Sequence, residues 1–130
     1  MASLSDYSEK LLLDWLMTTG AVTRPTAWYV ALYTAAPSDS GGGTEVSGSG
    51  YARQSATFNA ASTPGGTTDN TAAVTFTASG GSWGTITHIG IHTAVTGGNL
   101  LWHGAMTASK TVTDGDILEF SIGNIDLTLA

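Results

Sequence analysis

Cysteine is absent from the 130 residues, so neither a disulfide framework nor thiolate chemistry is open to the chain. Charge is scarce as well: 11% of residues carry one, roughly half the ~25% usual in soluble domains. Only four residues are basic (Lys10, Arg24, Arg53 and Lys110) against ten acidic, for a formal net charge of −6. Nucleic-acid binding needs clustered Lys and Arg to displace phosphate counterions, and docking on anionic membranes needs the same cations. Four scattered ones supply neither, so no nucleic acid and no membrane is expected as partner. The apolar stretch Leu11 to Met17 is short, holds Asp14 and has no basic region before it, unlike a leader or a span. No G-x-S-x-G elbow occurs, and Gly41-Gly42-Gly43 lacks the lysine of a phosphate loop.

What remains is one domain's length of Ser, Thr, Gly and apolar residues. A surface this poor in charge is kept wet by hydroxyls or is covered by other subunits. Residues 1–20 read as a single N-terminal helix. Ser3, Ser5 or Asp6 can cap it, and Asp6 with Glu9 has capping-box spacing. Tyr7, Leu11 and Trp15 recur every four residues with Leu12 and Leu16 beside them, and Gly20 is placed to end it. Its run from Leu11 to Leu16 is apolar on more than one side. Such a helix either plugs its own β domain, the preferred reading, or serves as an arm shared with a neighbour.

From Pro25 the period changes to that of strands, and residues 25–130 read as one β-sandwich domain. Trp28–Tyr33 is aromatic and β-branched. Residues 36–50 form a Gly/Ser-rich loop long enough to be functional or held by a partner. Tyr51–Phe58 alternates, residues 60–70 open into a second loop, and short strands follow at 72–77, 85–94, 100–106, 117–122 and 125–129. Short strands split by turn residues predict an all-β antiparallel sandwich or jelly roll with one helix in front.

Gly97-Gly98 suits a tight hairpin tip, which makes paired residue numbers sum to about 195. Ile89, Ile91, Thr93 and Val95 then share a core face with Leu100, Trp102 and Met106. The other face holds His88, His92, Ala94, Leu101, His103 and Ala105, with His92 opposite His103. That pair could hold a metal with a neighbour's ligand or act as a protonation switch at a subunit contact. The plainer reading is two hydrogen-bonding histidines on a half-buried sheet, and no metal and no cofactor is assigned. Asp114, Asp116 and Glu119 are spaced like glycosidase carboxylates, yet Thr113-Asp114-Gly115-Asp116 is also a tight turn. The turn is preferred, no catalytic residue is assigned, and the protein is expected not to be an enzyme. Of four tryptophans, Trp83 in the glycine-rich stretch 80–84 is the candidate for an exposed, sugar-stacking ring.

Two stretches carry a resemblance: Trp28–Gln54, with its ALYTAAPSD, GGGTEV and GYARQ strings, and Trp83–Phe120. Together they resemble short virion proteins of tailed bacteriophages, described as tail-fibre proteins or capsid-decoration (cement) proteins. The resemblance implies a structural part of the particle, made in the host bacterial cytoplasm and built into the virion surface. The leading expectation is a cement protein, a trimer clamping the major capsid protein; the alternative is a tail or fibre component near the host-contact end. A carbohydrate-binding module using Trp83 is a more remote alternative. Expected subunit-interface residues are His92, His103, Leu101, Leu11 and Trp15, and expected partner contacts are Trp83, Asp39 and Glu45.

Overall fold

A computed structural model describes residues 2–129. Helix α1, Asp6–Met17, starts at Ser5, whose extended backbone and side-chain oxygen cap it by accepting the Ser8 N–H at 3.2 Å. Asp6 and Glu9 place negative charge in the first turn, where the helix dipole favours it. The helix stops before Gly20. Thr18 leaves helical geometry, and its backbone N–H and hydroxyl both donate to the Asp14 carbonyl, at 3.2 and 2.6 Å.

The expected all-β domain with one N-terminal helix is present, and every strand pairing is antiparallel. The large sheet joins β1 (Ala2–Leu4), β8 (Leu100–Val112), β7 (Gly84–His92), β2 (Tyr29–Ala35) and β3 (Thr44–Glu45) in that order, with β4 (Gln54–Ser55) also on β2. Opposite it lie two separate ladders, β6 (Val74–Thr77) on β9 (Ile117–Phe120) and β5 (Thr67–Asp69) on β10 (Asp126–Thr128). A jelly roll would put two four-stranded sheets face to face; here the second layer is divided in two.

Val30, Leu32, Ile86 and Ile91 of the large sheet meet Val74, Phe76, Leu118 and Leu127 of the small ladders, and Ile125 just before β10, in one core. Phe76 anchors it, stacked on Tyr51 and edge-on to Phe120, both at 6.3 Å between ring centres. Burying a side chain of that size contributes about 1.5–3 kcal/mol. A buried amide joins the two small ladders: Asn70 donates to the carbonyls of Ala72 and Ser121 and accepts from the Ile125 N–H, at 2.8–3.0 Å.

Three elements differ from expectation. Residues 51–58 pair only at Gln54–Ser55 and through a single Phe58–Asn70 bridge, because Tyr51 turns inward to the core. The expected loop 60–70 supplies β5. The three-residue β1 carries no periodic signal to read.

Candidate interaction surface

The hairpin tip lies where expected: Gly97 and Gly98 take φ of 62° and 70°, values favouring glycine. The loop is longer than a two-residue turn. Thr93 donates from its N–H to the Asn99 carbonyl at 3.0 Å, and its hydroxyl accepts the Asn99 N–H at 2.9 Å, closing residues 93–99 into one loop. Together with a one-residue bulge at Leu101, this moves the register by two residues, so Gly90 faces His103 and Ile91 faces Trp102. A shift of two preserves the faces, which is why Ile89, Ile91, Trp102 and Met106 do contact the core. The expected His92–His103 pair is not formed.

A bulge between Ile91 and His92 corrects a second assignment. It sets His92 opposite Leu100 and leaves Leu101 as the extra residue. Leu101 sinks into the core at 5% exposure and offers nothing to a neighbouring subunit.

His92 is buried and shares a 2.8 Å hydrogen bond between its Nε2 and the Tyr33 hydroxyl. The two fit because residue 90 is glycine: a Cβ there would stand 2.9 Å from the Tyr33 ring. Among the described residues, His92 Nδ1 is a buried nitrogen without a partner. Burial, with the nearby Arg53 charge, pushes the imidazole pKa down to about 4, although Glu45 opposes the shift.

Beside it, Arg53 grips Glu45 with two donors at 2.7 and 2.8 Å and holds the hairpin loop by the carbonyls of Ala94 and Gly97, at 2.9 and 2.8 Å. Tyr51 donates to Glu45 at 2.8 Å while accepting the Leu32 N–H at 3.0 Å. Burial pushes the Glu45 carboxyl up, but the bonds from Arg53 and Tyr51 outweigh it and hold the pKa below the usual carboxylate range. Glu45 is therefore an internal tie rather than a free partner contact. Asp39, the other loop carboxylate, accepts from His103 at 2.7 Å and takes the Asp6 N–H on its backbone carbonyl at 2.9 Å. The loop 36–50 does not reach outward. Ser38 bridges Gly41, Thr44–Glu45 pairs with β2, and Val46 is buried.

Trp83 is not an exposed platform either. It is 7% exposed, donates from Nε1 to the Ser49 carbonyl at 3.0 Å and meets Tyr51 edge-on at 5.5 Å. The three carboxylates serve three separate places. Asp114 caps the Gly80 N–H and Asp116 accepts from the N–H and hydroxyl of Thr113, which lowers its pKa, while Glu119 takes the Thr75 hydroxyl across the β6–β9 ladder. Among the described residues no group of His, Asp and Glu side chains could hold a metal ion.

The surface that does stand open is the helix. Tyr7, Leu13, Trp15, Leu16 and Met17 are exposed, the last four by 61–77%, while Leu11 and Leu12 are half-buried. Of the helix, only Ser8 is buried. So α1 does not plug the β domain. Leu13, Leu16 and Met17 fall at i, i+3 and i+4 on its outward side, and Trp15, in line with the half-buried Leu11, is uncovered too. Apart from Asp14, which pairs with Lys10, the last turn is apolar, and its three apolar side chains are exposed. Leu13, Leu16 and Met17 were missed as candidates, though their signal, a run apolar on more than one side, was present.

Residues 3–128 match the family described as Podophage GP4 fiber I protein gp80. The chain belongs to this family. It is thus a structural protein of a short-tailed phage particle, of the fibre kind. No curated protein matches the chain. Among the described residues no helix is long and apolar enough to cross a membrane.

Proposed function

We propose that this protein is a non-catalytic subunit of the fibre carried on the tail of a short-tailed phage. It is held there as a closed trimer through its N-terminal helix, next to other virion proteins. Membership in the fibre family favours the tail over the capsid surface. The observation that carries the reading is the bare apolar end of α1, where Leu13, Trp15, Leu16 and Met17 lie 61–77% exposed. Monomers rarely expose apolar patches beyond a few hundred Å², and larger ones mark contacts between proteins. Closed rings of identical subunits are the common way to satisfy such a patch. The carboxylates, each committed to a structural bond, support the absence of catalysis.

The test is the particle itself. Gold-labelled antibody should mark the tail, and particles lacking the protein should keep their DNA on heating yet fail to adsorb to cells. Label spread over the head, with early loss of DNA from deficient particles, would replace this reading with the capsid-cement one.

A further inference from the structure

The N-terminal arm, β1 with α1, is attached to the body by few bonds. β1 pairs with β8 through Ala2–Gly104, Ser3–His103 and Leu4–Trp102. Ser5 donates from its N–H to the Leu101 carbonyl at 3.0 Å and from its hydroxyl to that of Leu100, and Asp6 donates to Asp39 at 2.9 Å. Every one of these contacts lies before the second turn of the helix. After Met17 the chain runs through residues 18–28 without helix or strand, and among the described residues 19–27 make no hydrogen bond. A segment of that length spans up to ~36 Å when extended, comparable with the width of a small domain.

We infer that the arm is exchanged between copies of this chain: β1 of one subunit pairs with β8 of the next, and the bare ends of the helices meet at the symmetry axis. This rests on the self-assembly proposed above and names how it is made. Three observations point to a second copy as the occupant. The docking site for β1 is already complete on each body and is complementary to the chain's own arm, so exchange reproduces every arm–body bond. Residues 19–27 of the linker have no hydrogen bonds to lose when it reopens. The area also suffices. Four large side chains at 61–77% exposure present roughly 500 Å², so two such patches approach the ~1,000 Å² that separates specific interfaces from casual ones.

The absence of cysteine gives a clean test. Ser3→Cys/His103→Cys places two thiols at directly opposed positions of the β1–β8 ladder, within the Cα range a disulfide accepts. After oxidation, exchange predicts chains covalently linked to one another on a non-reducing gel, with light scattering giving the same multiple for the native protein. Thr85→Cys/Thr111→Cys, opposed within the body hairpin, should close inside single chains and serves as the control. Should the first variant not fold, unmodified protein refolded from a mixture of ¹³C- and ¹⁵N-labelled chains answers the same question. Exchange then requires NOEs between β1 and β8 that cross from one label to the other. Only intrachain disulfides or NOEs in a particle of oligomeric mass would overturn exchange and leave self-assembly standing. A monomeric mass would overturn both.

Discussion

In the β body Phe76, Ile86, Ile91 and Leu118 are no more than 1% exposed, whereas in the arm Leu13, Trp15, Leu16 and Met17 are 61–77% exposed. Both regions are apolar, but only one has found its partners within the chain. The body also pairs its buried polar groups, His92 Nδ1 excepted, with Asn70, Glu45 and Arg53 each tied to several groups across separate segments. Beyond its capped first turn the arm makes no hydrogen bond to the body among the described residues. A 12-residue helix is marginal in water without packing. Under the assembly proposed above, the two regions have different work: the body maintains the fold and the arm makes the contacts between subunits.

If that division holds, the largest losses of stability come from the body. Phe76→Ala removes the ring on which Tyr51 and Phe120 pack and should cost about 3–5 kcal/mol in urea unfolding. Asn70→Ala leaves two carbonyls and one N–H unpaired between the two small ladders and should cost about 3 kcal/mol. A loss under about 1 kcal/mol for both would break the comparison, since the body would then not be where stability resides.

The body was also the more legible half. Alternation located β6, β7, β9 and β10 to within two residues, and β8 at its start though not in its last six residues. In contrast, β2 was legible from an unbroken aromatic and β-branched run that is buried on both faces. The helix was legible from its repeat, with Ser5 one of three cap candidates. What escaped was set by long-range fit. The seven-residue loop at Gly97-Gly98 depends on a Thr93 hydroxyl bond that no pattern announces, and with it went the histidine pairing. Trp83 sits in a glycine-rich stretch that looks open, yet the Ser49 carbonyl and the Tyr51 ring, both distant in sequence, bury it. Whether the run Leu11–Leu16 faces inward or outward is not encoded in its period at all.

The second effect is acid sensitivity, and it belongs to the body too. His92 has a folded pKa of about 4 against an ordinary 6.5, so the unfolded chain binds the extra proton first. Its contribution is therefore full above pH 6.5 and is lost as pH falls from 6.5 toward 4, by about 3 kcal/mol in all. Protonation would put an unpartnered N–H donor at the buried Nδ1. Glu45, held below the usual carboxylate range, loses its contribution only at lower pH still. Urea unfolding of the native protein and of His92→Gln between pH 7.5 and 4 separates the two. Parallel curves would show that the imidazole is not the group responsible.

The smallest effect on unfolding, and the most telling, is expected in the arm. Leu13→Ser, Leu16→Ser and Met17→Ser together remove three large apolar side chains, a change that in a core would unfold the protein. Here those side chains are 62–77% exposed, and each lies beyond the bonds that fasten Ser5 and Asp6 to the body. Under dilute conditions, where the chain is monomeric, the triple variant should unfold within about 0.5 kcal/mol of the native protein, as surface changes do. At high concentration the two should part: the native protein gains stability with concentration because assembly draws on the folded form, and the variant does not. Denaturation midpoints measured across a hundredfold range of concentration report both halves of the prediction. A variant that unfolds readily even when dilute would place these residues in the body's own core. One whose midpoint still rises with concentration would move the assembly contact elsewhere on the molecule.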